Sequence, residues 1–399
     1  MTNWKEYKLS DLMQIKYGKD HKHLADGSYP LYGSGGIMRY VEKPLYEEES
    51  ILIPRKGTLS NLFYLNEPFW SVDTMFYSQI NKELALPKYL YYTLKTFDLA
   101  SLNVGSAVPS LTTQVLNEVL VSVPDLPTQT AIAEILSSLD DKIELNNKIN
   151  QELENLAQTL FKQWFIDFEF PNENGKPYKS SGGALVDSEL GQIPKGWEVV
   201  NFKDTIEKYI DNRGKTPPVI SDGIPIVEVK HMSDSSIFPS LKTQKFVSQE
   251  VYENWFRAYL EEDDLLMSTV GTIGRLNITP KDEIFAIAQN VLGLRFKKEI
   301  LTQLYMFCLM RSKLFNDEIN SRLIITVQAS IKRSDLEKIP VVIPDYSILN
   351  NFDIQVRTLF DEISNLTKEN QELTNLRDTL LPKLISGELE VADIMAEKA

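Results

Sequence analysis

The chain has 399 residues, 43% hydrophobic and 25% charged, a composition that fits two or three folded domains and excludes a disordered or fibrous chain. No apolar run approaches the roughly 20 residues that cross a bilayer, and 1–9 lacks the apolar core of a signal peptide, so a cytoplasmic protein with no membrane partner is expected. The formal net charge of −14 argues against a simple basic nucleic-acid binder, but that charge is unevenly spread. Residues 125–170 hold nine acidic and three basic side chains and 345–399 hold eleven and five, whereas 1–124 hold thirteen against twelve and 171–344 twenty-three against twenty-two. Near-neutral units can still gather Lys and Arg on one face, so DNA is not excluded, and phosphate neutralisation would be shared with a more basic partner.

Taken in chain order, 1–124 mixes β-rich runs at Ser50–Pro54, Leu62–Leu65 and Leu120–Val123 with turn clusters such as Tyr32-Gly33-Ser34-Gly35-Gly36, which predicts an α/β or α+β globule. From Thr128 to Trp164 there is no Pro or Gly, and apolar residues recur every three or four places at Ile132, Leu136, Leu139, Ile143, Leu153, Leu156, Leu160 and Trp164. That spacing predicts one long helix within 125–170. Residues 171–196, rich in Gly, Ser, Pro and Lys, read as an exposed linker. A second globule over 197–344 has strand candidates at Ile224–Val229, Asp264–Ser268 and Val341–Ile343 and a helix over Gln303–Ile319. Within 345–399 a second long helix carries Phe352, Val356, Leu359, Ile363, Leu366, Leu373, Leu376, Leu380 and Leu384. Each helix of about 40 residues would reach roughly 60 Å, too long to bury itself on one small domain, and the simplest solution packs the two together.

The chain contains itself twice. Asn150–Leu160, NQELENLAQTL, returns at Asn370–Leu380 as NQELTNLRDTL, a register shift of 220, and the same shift aligns 109–125 with 329–345. Earlier matches, Trp4 with Trp197, Gly18-Lys19 with Gly214-Lys215 and Gly57-Thr58 with Gly271-Thr272, have shifts of 193, 196 and 214, so the second copy carries extra residues near its front. Two copies of one unit, a two-fold pseudo-repeat, suit a ligand with two half-sites. Asn150 and Asn370 fall at equivalent places in the two seams, where they either fix register or are ordinary surface asparagines.

No catalytic constellation emerges. Arg213-Gly214-Lys215-Thr216 imitates the end of a phosphate-binding loop, but the glycine that motif needs at 209 is Tyr. Asp222, Glu228 and Lys230 only loosely match a metal-dependent nuclease, and His21 with His23 lacks a third ligand, so no metal site is assigned. Cys308, the only cysteine, sits in the apolar run LYMFCLM and reads as a core thiol. Both copies instead place Gly-rich, basic, hydroxyl-bearing segments ahead of their helix. Lys19, Ser34, Arg55, Lys56 and Thr58 in the first and Arg213, Lys215, Thr216, Thr272 and Arg275 in the second suit phosphate or guanine, and Asn61, Gln289 and Asn290 suit adenine edges.

The chain resembles the DNA-specificity (S) subunits of type I restriction-modification systems over essentially its whole length. The resemblance rests on Leu160–Phe168 (LFKQWFIDF), Ser188–Trp197 (SELGQIPKGW) and Leu376–Leu389 (LRDTLLPKLISGEL), with Tyr29–Gly36 (YPLYGSGG) and Arg213–Pro218 (RGKTPP) in support. It implies two target recognition domains, 1–124 and 197–344, each reading one half of a split double-stranded DNA sequence. The two long helices would separate them as an antiparallel coiled coil. It further implies a non-catalytic chain that binds no cofactor itself. Two modification (methyltransferase) subunits would carry S-adenosylmethionine, and restriction subunits would use ATP and Mg. A helical scaffold that binds only protein is the alternative.

Overall fold

The computed structural model describes residues 4–103, 105, 109–212, 216–324 and 330–391. They form two compact units, Met1–Glu144 with Asn370–Ala399 and Leu145–Glu369, so each long helix gives one end to each unit. In the first unit a four-stranded antiparallel sheet runs in the order Met13–Tyr17, Met75–Ile80, Ser50–Pro54, Phe63–Leu65. Beside it, Gly36–Val41, Asp26–Gly33 and Trp70–Ser71 make a three-stranded sheet whose last pair is parallel. Lys5–Lys8 pairs with Leu120–Val123.

The second unit repeats this order strand for strand. Ile206–Asp211, Val291–Phe296, Leu265–Ser268 and Leu276–Ile278 form the four-stranded sheet, and Phe246–Val247, Ile224–Val227 and Ala286–Ile287 the three-stranded one, again ending in a parallel pair. Glu198–Asn201 pairs with Pro340–Ile343. The main difference is the turn inside the three-stranded sheet. Ser34-Gly35 closes the hairpin in the first unit, whereas residues 228–245 span the same gap in the second. Of the central strands, Ser50–Pro54, Leu265–Ser268 and Val291–Phe296 are buried along their full length, as runs such as SILIP and VLGLRF require.

The first long helix spans Leu126–Phe161 and the second Tyr346–Ser386. Both start behind a Pro-Asp pair whose aspartate caps the helix: Asp125 accepts from the Thr128 amide at 2.9 Å and Asp345 from the Ser347 amide at 2.8 Å. The Thr128 and Ser347 hydroxyls, together with these amides, hold both carboxyls below the ordinary aspartate range. Ile132, Leu136, Trp164, Phe352, Val356, Ile363, Leu366 and Leu384 are buried, and Leu139, Ile143, Leu153, Leu160, Leu359, Leu373 and Leu380 are half-buried. Leu156 and Leu376, however, are 53% and 47% exposed. Their places in the alternation of threes and fours are taken by the next residues, buried Ala157 and half-buried Arg377, whose guanidinium donates to Asp140 at 2.6 Å. In the second unit the fully buried Asn146 donates its amide to Glu369 at 2.7 Å, one turn before Asn150.

Past Phe161 the first helix widens into a π-turn, Lys162–Ile166. The changed pitch lets the adjacent Trp164 and Phe165 both enter the core with Phe161, Tyr305, Phe352 and Trp197. Residues 171–196 are mostly exposed but ordered: Leu185–Ser188 and Gly191–Pro194 form a hairpin that buries Ile193. The helix expected over Gln303–Ile319 is two helices, Gln303–Arg311 and Lys313–Ser321. Ser312 breaks it by adopting an extended backbone and capping the second, its hydroxyl accepting from the Phe315 amide. Cys308 is buried, and burial pushes its thiol well up, as an inert core cysteine requires.

Candidate nucleic-acid interface

In the first unit the loop at 71–74 gathers the predicted residues. Gly18 lies so close to it that a Cβ would fall 2.0 Å from the Val72 carbonyl oxygen, and the Lys19 amide donates to Ser71 O at 2.9 Å. The Arg55 amide donates to Thr74 O at 2.8 Å, and its guanidinium donates to Asp73 O at 2.9 Å while lying over the Tyr17 ring at 5.4 Å. Asn61 donates its amide to Ser34 O at 2.7 Å, and Gly57 approaches the Ser34 side chain. Lys19, Ser34, Arg55, Lys56, Thr58 and Asn61 therefore belong to three loops tied to one another. Lys19, Lys56 and Thr58 are exposed, whereas the guanidinium of Arg55 and the amide of Asn61 already hold main-chain carbonyls.

In the second unit the equivalent loop is 287–290. The Asn290 carbonyl accepts from the Thr269 amide at 3.0 Å, as Thr74 O does from Arg55, and leaves the Asn290 side chain exposed. Thr216, Gln289 and Asn290 line a cleft of about 370 Å³ together with Asn212, Glu228 and Lys245. Burial pushes the Glu228 carboxyl up, but the ammonium groups of Lys245 at 2.6 Å and Lys230 at 3.0 Å outweigh it and hold it below the ordinary range. Glu228 and Lys230 of the nuclease-like triplet are thus an ion pair, and Asp222 stays exposed in the preceding bend.

Thr272 and Arg275 lie on the 268–275 loop, which Ser268 closes by donating to Thr272 O and accepting from the Arg275 amide. The Arg275 guanidinium turns to the carbonyls of Met232 at 3.1 Å and Val229 at 3.4 Å, so this arginine pins the 229–236 segment. Arg213 and Lys215 lie outside the described residues. Among the described residues no cluster of His, Cys, Asp or Glu could hold a metal ion, and no helix is long and apolar enough to cross a membrane. Loops that project amides, hydroxyls and ammonium groups from a fixed sheet suit recognition of base edges and phosphates. Sequence reading did not single out Ile37, Met38 and Tyr40, which are 48–59% exposed around the first unit's turn. The signal for them was the run Gly36-Ile37-Met38, where apolar residues follow a turn on an edge strand.

The family model described as type I restriction modification DNA specificity domain matches residues 1–155 and 194–375. The type I restriction enzyme MjaIX specificity subunit of Methanocaldococcus jannaschii is 29% identical over 98% of this chain and 90% of its own length. The type I restriction enzyme EcoBI specificity subunit of Escherichia coli is 23% identical over 98% and 84%. The crystal structure of a type I restriction-modification S subunit from M. genitalium covers 96% of each chain with a TM-score of 0.58 at 15% identity, a likeness of fold. The duplicated sheets, their loops and these matches agree: the chain belongs to the type I restriction-modification DNA specificity family, the specificity subunits of such systems.

Proposed function

We propose that the chain is the non-catalytic reader of a bipartite duplex, with recognition domains over 1–124 and 197–344 and the two long helices packed antiparallel as a coiled-coil ruler. The observation that carries this reading is the same strand order in both units with different loops at the same places. Support for antiparallel packing comes from the pairs Asp140 with Arg377 and Asn146 with Glu369, in which one residue number rises as the other falls. Leu156 and Leu376, exposed at positions 220 apart, suit two copies of one partner, the modification subunits. Restriction subunits complete the assembly. In this reading S-adenosylmethionine, ATP and Mg belong to those partners, and the complex works in the cytoplasm.

One heptad added after Asn150 and another after Asn370 lengthens both rods by about 10 Å, or about three base pairs of B-DNA. Methylome sequencing of a host carrying that variant should show a spacer longer by about three base pairs between unchanged half-sites. Changed half-sites, or an unchanged spacer, would overturn the ruler. A scaffold that binds only protein predicts no shift of any duplex by the purified complex, whereas a DNA reader loses affinity steeply as salt rises.

A further inference from the structure

In the first unit's hairpin, Leu31 pairs with Arg39 but Tyr32 pairs with Ile37, so the strand Gly36–Val41 carries one extra residue, Met38. This is a β-bulge, which sets Ile37 and Met38 together opposite Tyr32 and re-aims their side chains. Both are apolar and face water, 48% and 59% exposed. The bulge is held firmly. Arg39, the next residue, donates to Asp26 at 2.8 Å and to the carbonyls of His21 and Leu24 at 2.9 and 3.0 Å. Met38 lies across Gly33, where a Cβ would come within 2.7 Å of its sulfur and 3.9 Å of Val72. Gly33 thus lies between the tip and Val72 of the 71–74 loop that fixes Lys19 and Arg55, and is followed by the turn residue Ser34 that holds Asn61.

We propose that Ile37 and Met38 form an apolar reading tip that packs on the 5-methyl group of a thymine in the half-site recognised by the first unit. This inference rests on the DNA-reading function proposed above. Thymine is the base whose major-groove edge presents a methyl group, and an apolar side chain next to it excludes water from both. The neighbouring loops argue for DNA as the occupant, since exposed Lys19 and Lys56 are both anchored by their amides to the 71–74 loop, which Gly33 approaches, and suit phosphate. Among the described residues, the second unit's hairpin pairs its strands without such a bulge. It opens into residues 228–245 and carries Lys230 and Lys245 on Glu228.

The test uses the complex of this chain with its methyltransferase partner and a duplex bearing its full target. Each thymine of the first unit's half-site is replaced in turn by deoxyuracil, and Kd is read by fluorescence anisotropy at fixed salt. At one thymine, loss of the methyl should weaken binding about four-fold, the value of withdrawing one such group from water. The variants Met38→Ala and Ile37→Ala, together with Met38→Gln, which keeps the side-chain length over Gly33, should bind thymine and uracil duplexes more nearly alike. A half-site without thymine, uracil tolerated at every position, or variants that keep the full discrimination would overturn the tip while leaving DNA reading intact. A wild-type complex that binds no sequence specifically would sink the DNA-reading function itself, and the tip with it.

Discussion

Where the first unit buries Ser50, the second buries Asp264. Across neighbouring strands the Ser50 hydroxyl donates to Ser78 O at 2.8 Å and accepts from the Ser78 amide at 2.9 Å, while the Ser78 hydroxyl accepts from the Ile51 amide at 2.8 Å. On the equivalent strands Asp264, 1% exposed, receives two hydrogen bonds from Arg295, 6% exposed, at 2.9 and 2.7 Å. Arg295 also reaches Glu261 and the Tyr259 carbonyl. One residue earlier, Glu49 binds Lys82 and Tyr64 in the first unit, whereas Asp263 takes both arms of Arg357 in the second. Matching backbones thus tolerate a neutral hydroxyl pair or a buried ion pair, provided each polar group finds a partner. What the two units share is hydrogen-bonded pairing of strands, and what separates them is side-chain chemistry within it.

The largest expected effect breaks that equivalence. Arg295→Met leaves the Asp264 carboxylate buried without its counter-ion and should cost the second unit about 3–5 kcal/mol, while replacing both residues by apolar ones should restore much of it. Calorimetry with separate transitions for the two units would show it, and an equal loss in both would mean that they do not melt independently. A middle-sized effect concerns reading. Asn290→Ala should relax one base position of the second half-site by about 1–3 kcal/mol of discrimination and leave the first half-site unchanged, as read by methylation of target variants. Relaxation at both half-sites would contradict the division between units.

The smallest effect is on pH. Hydrogen bonds from Lys82 and Tyr64 hold the Glu49 carboxyl below its ordinary range. A depressed acid contributes stability above its unfolded pKa and loses it as pH falls through the folded value. Glu49→Gln should therefore flatten the acid side of the first unit's stability curve, below about pH 4, and leave the second unit's curve alone. Acid titration followed by circular dichroism would check this, and an unchanged acid limb would remove Glu49 from the comparison.

Much of this architecture is legible in the residues. Strands at Ser50–Pro54 and Leu120–Val123 coincide with their apolar runs, and the helices with their alternation of threes and fours. The seam departs from the apolar pattern where hydrophobicity and geometry disagree: Leu156 and Leu376 are the larger apolar residues, but helical phase turns Ala157 and Arg377 inward instead. Ser312 hid a helix break because a cap looks like any polar residue until the backbone is seen. The site was less legible. Charge marked Arg55 and Arg275, but which carbonyls their guanidinium groups would meet depends on loops far away in sequence, 71–74 and 229–232. The bulge at Met38 is a register event between two strands and leaves no single-residue signature.

Because each long helix is divided between the units, the first unit's core needs Leu381, Leu384 and Ile385, with Trp4, Leu389 and Val391 packed on it. On the ribosome, the domain begun first is therefore the one completed last. Its sheet must wait, with apolar strands such as Ser50–Pro54 incompletely covered, while some 225 intervening residues are made and folded. A nascent chain stalled before residue 370 would hold a finished second unit and an unsealed first one. That window is where chaperones would be expected to engage the growing polypeptide, and where its yield would be most sensitive to the speed of translation.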